Sequence, residues 1–126
     1  MYGQPHLLAL ISDLFFVTRV AAAARQAGYS FEGLDTYRTI DDFLEILHAR
    51  PPALIVLDLN SALPWAEWLP AAKSDPLTSS IPWLAFGSHM NPKRLAAARR
   101  AGVDRVVPKS QLTAELNELL RQMSKS

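Results

Sequence analysis

The chain of 126 residues is 49% hydrophobic, carries a formal net charge of +1 and contains no cysteine. This length and composition suit one domain with a full core, and they exclude a disordered chain, disulfide bonds and thiolate metal sites. The net charge gives no overall attraction to nucleic acid or to acidic partners. No apolar stretch reaches the ~18 residues of a membrane span. No basic segment precedes the N-terminal apolar run, so we expect a cytoplasmic protein without a signal peptide.

Short apolar runs alternate with helical patterns from the N-terminus onward. Residues 6–11 are predicted to form a strand, and Ser12-Asp13 directly after them predicts a helix cap. The next helix is predicted over residues 14–27, ending at Gly28, a residue suited to left-handed backbone. Residues 29–34 are predicted to form a second, weaker strand.

The second helix and the third strand have clearer signals. Thr39 and Asp42 stand at the two positions of a capping box. The apolar residues that follow have the i, i+3, i+4, i+7 spacing of a helix face: Ile40, Phe43, Leu44 and Leu47. Pro51-Pro52 ends this helix. Residues 53–57 are predicted to form the third strand, because a run of aliphatic residues is typical of a strand buried on both faces.

The next helix and strand are marked by proline and glycine. A helix is predicted over residues 64–73, entered at Pro64 in its first turn. Residues 83–86 are predicted to form the fourth strand, which stops at Gly87.

The C-terminal part of the chain repeats the pattern once more. Asn91-Pro92 is a cap followed by a first-turn proline, and the helix is predicted to run to Ala101 before Gly102. Residues 103–107 are predicted to form the fifth strand, and Ser110 is predicted to cap the last helix. The apolar stripe of that helix consists of Leu112, Leu116, Leu119 and Leu120.

Five repeats of strand then helix predict an α/β domain over residues 1–126, with a parallel sheet covered on both faces. In such a sheet, ligands bind at the carboxyl ends of the strands. Asp58 and Lys109 both follow predicted strands. A carboxylate and an ammonium group at neighbouring strand ends can handle a phosphoryl group. The alternatives are that Asp58 only caps a loop, and that Lys109 is an ordinary exposed lysine rather than its ion-pair partner.

Four segments in this order and spacing resemble the receiver domain of bacterial response regulators: residues 54–60, residues 75–82, residues 98–104 and Lys109. The resemblance covers nearly the whole chain. It implies a flavodoxin-like, doubly wound (βα)5 fold with strand order 2-1-3-4-5. It also implies a signalling module of the two-component phosphorelay, which is not an enzyme in the usual sense.

The resemblance assigns roles to individual residues. Asp58 would accept a phosphoryl group from a phosphorylated histidine on a partner kinase, and Lys109 would pair with the phosphoryl oxygens. Asp13 and Asp58 would be magnesium ligands, together with the backbone carbonyl of Asn60.

The chain departs from the family pattern at several positions. The family has two adjacent acids after the first strand, and here Ser12-Asp13 supplies one at most. Magnesium favours carboxylate oxygens, so we expect its binding to be weak or absent. The family's hydroxyl residue after the fourth strand aligns with Gly87, which makes Ser88 the candidate phosphoryl ligand. Val106 stands at the aromatic switch position, and Ser110 replaces the proline after the lysine.

A set of large apolar residues flanks the expected site and is predicted to form a partly exposed partner patch: Leu14, Phe15, Phe16, Trp65 and Trp68. This patch favours an alternative function, a phosphorylation-independent pseudo-receiver that binds a protein partner or a second copy of itself.

Other classes of site have less support. The basic stretch from Lys93 to Lys109 is interpreted as a solvated face, so direct nucleic-acid binding is not expected. His6, His48 and His89 lack the spacing of metal ligands, and His89 is predicted to lie in a loop. No nucleophile–base pair supports a hydrolase.

Overall fold

The computed structural model describes residues 4–88 and 91–124, so the predicted loop position of His89 lies outside the described residues. Five strands form one sheet in the order β2-β1-β3-β4-β5, which confirms the predicted order. The strands are β1 (His6–Leu10), β2 (Ser30–Gly33), β3 (Leu54–Asp58), β4 (Trp83–Gly87) and β5 (Arg105–Pro108). All four strand pairs are parallel. The carboxyl ends of the strands therefore lie at one edge of the sheet.

Five helices alternate with the strands: α1 (Leu14–Gln26), α2 (Ile40–Ala49), α3 (Trp65–Ser74), α4 (Pro92–Ala101) and α5 (Lys109–Ser124). Helices α1 and α5 cover one face of the sheet, and α2, α3 and α4 cover the other. Each face therefore has its own apolar core, which explains why the central strands are aliphatic on both sides. In the described part of the chain, no helix combines the length and apolarity needed to cross a bilayer.

The predicted helix starts depend on local hydrogen bonds, and three of them are confirmed. Asp13 accepts from the N–H groups of Phe15 and Phe16, and Thr39 accepts from that of Asp42. Asn91 accepts from the N–H of Arg94 in the first turn of α4.

Two predicted helix starts are wrong, that of α3 by one position and that of α5 by two. Pro64 stands before α3 at its N-cap, without a side-chain capping bond, and the helix begins at Trp65. Helix α5 begins directly at Lys109, so Ser110 lies inside its first turn and does not cap it.

The fifth strand also begins later than predicted. The N–H of Val103 donates to the carbonyl of Ala98 at the end of α4. The carboxylate of Asp104 accepts from the backbone N–H of Trp83 at 2.7 Å and from Lys73 Nζ at 3.0 Å. Both residues are held by these contacts, so the chain joins the sheet only at Arg105.

Trp68 should be a principal contributor to stability. It is fully buried and its ring stacks on Phe43 with 4.4 Å between centroids. We expect Trp68→Ala to lower the free energy of unfolding by about 3–5 kcal/mol, the usual cost of removing a buried aromatic side chain. Trp65, which is half-buried against the same core, is the matched control. Urea denaturation measures both, and equal losses for the two variants would contradict this account.

Candidate functional site

The carboxylate of Asp58 lies at the carboxyl edge of the sheet, at the end of the central strand β3. Asp58 is paired in register with Phe86 of β4, and only 6% of its surface is exposed. Its Oδ1 accepts the backbone N–H of Asn60 at 2.9 Å. This local bond fixes the carboxylate in the turn that leaves β3.

Burial and nearby charges change the pKa of this carboxyl group in opposite directions. Burial is the largest effect and raises the pKa of Asp58 above its ordinary value of 3.8. The N–H of Asn60 and the positive charges of Lys109 and Arg94 lower the pKa, whereas the negative charge of Asp13 raises it. The structure therefore brings two cations and a second carboxylate to the surroundings of Asp58.

Lys109 is neither an ordinary exposed lysine nor the ion-pair partner of Asp58, the two alternatives that the sequence left open. It is half-buried, and its Nζ lies 4.4 Å from the ring centroid of Phe16 in a cation–π contact. Within residues 4–88 and 91–124 it makes no salt bridge with Asp58. Its charge still acts on Asp58, so the ring of Phe16 holds the ammonium group near the carboxylate without a direct ion pair.

Asp13 combines two roles in one side chain. Its Oδ1 accepts the N–H of Phe15 at 2.8 Å and that of Phe16 at 3.3 Å, as the capping alternative predicted. The same carboxylate is close enough to Asp58 to raise its pKa. In the described part of the chain, no group of three or more acidic, histidine or cysteine side chains could hold a metal ion. The two carboxylates and the carbonyl of Asn60 are oxygen donors of the kind that magnesium prefers.

Ser88 lines a cleft of about 400 Å³ at the same edge, together with Phe16, Asn60, Lys109, Ser110 and Thr113. The cleft therefore brings together three residues that the resemblance implicates: Asn60, Ser88 and Lys109.

Sequence reasoning missed Arg94 as a site residue and assigned it to a solvated face. Its Nη1 donates to Asn60 Oδ1 at 2.7 Å and lies 3.4 Å from the carbonyl oxygen of Leu59. One signal was available, because Arg94 lies in the first turn of the helix that follows β4. The start of such a helix faces the carboxyl edge of a parallel sheet.

Only part of the predicted partner patch is exposed, and the predicted exposure is wrong for Trp68. Trp68 is fully buried, and its Nε1 donates to the carbonyl of Arg38 at 3.1 Å. Trp65 is half-buried, and Phe16 is buried against Phe86. These aromatic side chains pack toward the sheet, because α1 covers one of its faces and α3 covers the other.

Leu14 and Phe15 remain as an exposed apolar pair. Leu14 is 77% exposed and Phe15 is 63% exposed, with the guanidinium of Arg19 5.6 Å from the Phe15 ring centroid. They begin α1 directly after Asp13, so the pair flanks the site.

The buried carboxylate should make stability depend on pH. The raised pKa means that the folded protein binds the Asp58 proton more tightly than the unfolded chain does. Ionisation of Asp58 therefore lowers the free energy of unfolding progressively as the pH rises from about 3.8 through the pKa of the folded state. We expect Asp58→Asn, which keeps an acceptor for Asn60, to raise the free energy of unfolding by on the order of 1 kcal/mol at neutral pH.

The gain should vanish well below pH 3.8, where Asp58 is protonated in both states. Chemical denaturation across the pH range measures it, with the exposed Asp35→Asn as control. A gain of equal size at acidic and neutral pH would count against the electrostatic explanation.

Comparison with known proteins gives structural similarity without sequence similarity. No protein-family model matches the chain, and no curated protein matches it. A proposed response regulator from Chloroflexus aurantiacus superimposes with a TM-score of 0.81 and 17% identity, over 99% of this chain and 100% of the other.

Two further solved structures extend this similarity. The receiver domain of a signal transduction histidine kinase from Syntrophus aciditrophicus gives a TM-score of 0.78 at 16% identity, over 96% of this chain and 90% of the other. The phosphorylated cyanobacterial phytochrome response regulator RcpA gives 0.74 at 17% identity, over 98% and 93%. The chain therefore has the fold of response-regulator receiver domains.

Proposed function

We propose that this protein is a receiver-like component of a two-component phosphorelay, with Asp58 as its phosphoacceptor. The observation that carries the proposal is a single buried carboxylate at the carboxyl edge of the sheet, acted on by the charges of Lys109 and Arg94. A capping role alone would not require two cations around a carboxylate that the fold has already desolvated. The similarity to receiver domains, one of them from a histidine kinase, supports the same proposal.

The chemistry is a phosphoryl transfer to a carboxylate. An oxygen of ionised Asp58 attacks phosphorus and forms a P–O bond, while the bond from phosphorus to the leaving group of the donor breaks and that group takes the electron pair. No proton has to leave Asp58, because the ionised carboxylate is the nucleophile. The N–H of Asn60, Lys109 and Arg94 favour this ionised form. Lys109 then neutralises part of the charge on the phosphoryl oxygens.

We expect a magnesium ion to bind weakly to the oxygen donors at this edge. Asp13 and Asp58 would hold it with the backbone carbonyl of Asn60, and the capping bonds of Asp13 use only its Oδ1. When bound, the metal supplies positive charge to the transferring phosphoryl group. Two carboxylates give a weaker site than three, so we propose that millimolar rather than micromolar magnesium is needed.

The phosphoryl donor would be a phosphorylated histidine on a partner kinase, and the protein would act by changing its contacts with a further molecule. We therefore propose a signalling module and not an enzyme. Its natural kinase and downstream partner would be other proteins of the same relay.

Phosphorylation of Asp58 can be tested directly. We expect acetyl phosphate with magnesium to add one phosphoryl group to the wild-type protein, seen by intact-protein mass spectrometry. Asp58→Ala should abolish the addition. Lys109→Ala should slow it by about 10–100-fold, since one charged group that stabilises the transition state is removed. An unmodified wild-type protein under these conditions, or modification that persists in Asp58→Ala, would refute the assignment.

A second candidate function is favoured by the exposed pair Leu14 and Phe15. A soluble domain that keeps two large apolar side chains more than 60% exposed at the rim of a site is suited to docking a protein or a second copy of itself. In this case binding would not depend on phosphorylation.

The two candidates predict different effects on self-association. If the protein is a pseudo-receiver that dimerises, Leu14→Ser with Phe15→Ser should weaken the dimer at least about tenfold, because two apolar side chains leave the interface. Asp58→Ala should leave the dimer unchanged. Sedimentation velocity over a concentration series measures both. A monomeric wild-type protein, or a dimer that only Asp58→Ala disrupts, would exclude self-association through this pair.

A further inference from the structure

The last residue of β4 is a glycine and offers no side-chain donor to the site. Gly87 is the last residue of β4, and a Cβ atom added there would lie 3.2 Å from Leu59 Cδ1 and 3.3 Å from Leu95 Cδ2. Both separations are tighter than ordinary van der Waals contacts. A hydroxyl-bearing side chain at this position would require both leucines to shift, so apart from Ser88 a phosphoryl group on Asp58 needs a donor from another segment.

Arg94 places a guanidinium group there. Its side chain reaches from α4 to the turn after β3, where Nη1 donates to Asn60 Oδ1 at 2.7 Å and approaches the carbonyl of Leu59 at 3.4 Å. Both acceptors are neutral oxygens. Arg94 is exposed, so its guanidinium can rotate into solvent or toward a new acceptor without disturbing the core.

Phosphorylation would change the competition for this guanidinium. A phosphoryl group carries a charge of about −1.5 to −2 at neutral pH. The present bond from the charged guanidinium to Asn60 has a neutral acceptor, whereas a phosphoryl anion adds the attraction of opposite charges and can accept bidentate bonds from arginine. The anion on Asp58 therefore outcompetes the amide oxygen of Asn60, which lies two residues away on the same turn.

We propose that Arg94 binds the phosphoryl oxygens of phosphorylated Asp58 and releases Asn60. The proposal rests on the proposed function, because it requires Asp58 to be phosphorylated. The N–H of Arg94 is bonded to the cap residue Asn91 at 3.2 Å, and the next residue, Leu95, packs against Gly87. The backbone of Arg94 is therefore held in the first turn of α4, and only its exposed side chain has to move.

The first test is the initial rate of phosphorylation by acetyl phosphate and magnesium. In this step an Asp58 oxygen forms its bond to phosphorus as the bond from phosphorus to the acetate oxygen breaks, and acetate leaves. Arg94→Ala should slow the step by about tenfold, and Arg94→Lys should restore part of the rate, because it keeps the charge but not the fork of donors. The matched control is Arg99→Ala, which removes an exposed guanidinium from the same helix and should react like the wild type.

The second test uses the wild-type protein and does not depend on the folding of a variant. Side-chain NMR resonances of Arg94 should shift when Asp58 is phosphorylated, whereas those of Arg99 should not. If phosphorylation proceeds but Arg94→Ala reacts at the wild-type rate, or the Arg94 resonances stay unchanged, the role of Arg94 is wrong and the phosphoacceptor role of Asp58 stands. If the wild-type protein is never phosphorylated, the proposed function fails and the role of Arg94 fails with it.

Discussion

The burial of β3 on both faces is the constraint on which the site depends. The strand lies between β1 and β4, and its residues are covered by helices above and below the sheet. Polar side chains cannot be accommodated along this strand without losing their hydration. The first position at which a carboxylate can reach solvent and a backbone donor is the end of the strand, where Asp58 meets the N–H of Asn60. Packing therefore decides where the buried carboxylate lies, and the neighbouring strand ends bring Lys109 and Asp13 toward it.

Opposing electrostatic effects meet at Asp58. Desolvation favours the protonated carboxyl group, whereas the hydrogen bond from Asn60 and two nearby cations favour the ionised one. Lys109 contributes its charge from a position over the ring of Phe16 rather than from an ion pair. A carboxylate held in this way keeps nearby positive charge that is not neutralised by direct pairing. In the proposed function, that charge would face the phosphoryl group formed on the same carboxylate.

Apolar packing shapes the rest of the rim. Leu59 and Leu95 occupy the space beside Gly87, so the end of β4 contributes backbone but no side chain. Trp68 is turned into the core, where it stacks on Phe43, and it is therefore withdrawn from any docking surface. Besides Asp13 and Ser88, the polar and charged groups at this rim come from the turn after β3 and from the first turns of α4 and α5. These are the segments that would change if Asp58 gained charge.

The sequence by itself determined the features that depend on near neighbours in the chain. Aliphatic runs specify buried strands, and Asp13, Thr39 and Asn91 specify helix starts, because each capping bond spans only two or three residues. The strand order could be predicted only through the resemblance to a known family, since the pattern alone gives a parallel sheet.

Tertiary structure alone decided the contacts between distant segments. Trp68 bonds to a residue 30 positions away, and Arg94 to one 34 positions away. Neither contact can be predicted from local spacing. A tryptophan near a helix start gives the same sequence pattern whether it faces solvent or the core. An arginine on a polar helix gives the same pattern whether it faces solvent or a neighbouring turn. The physical reason is that side-chain direction follows from how the helices pack on the sheet, which is fixed only when the whole chain has folded.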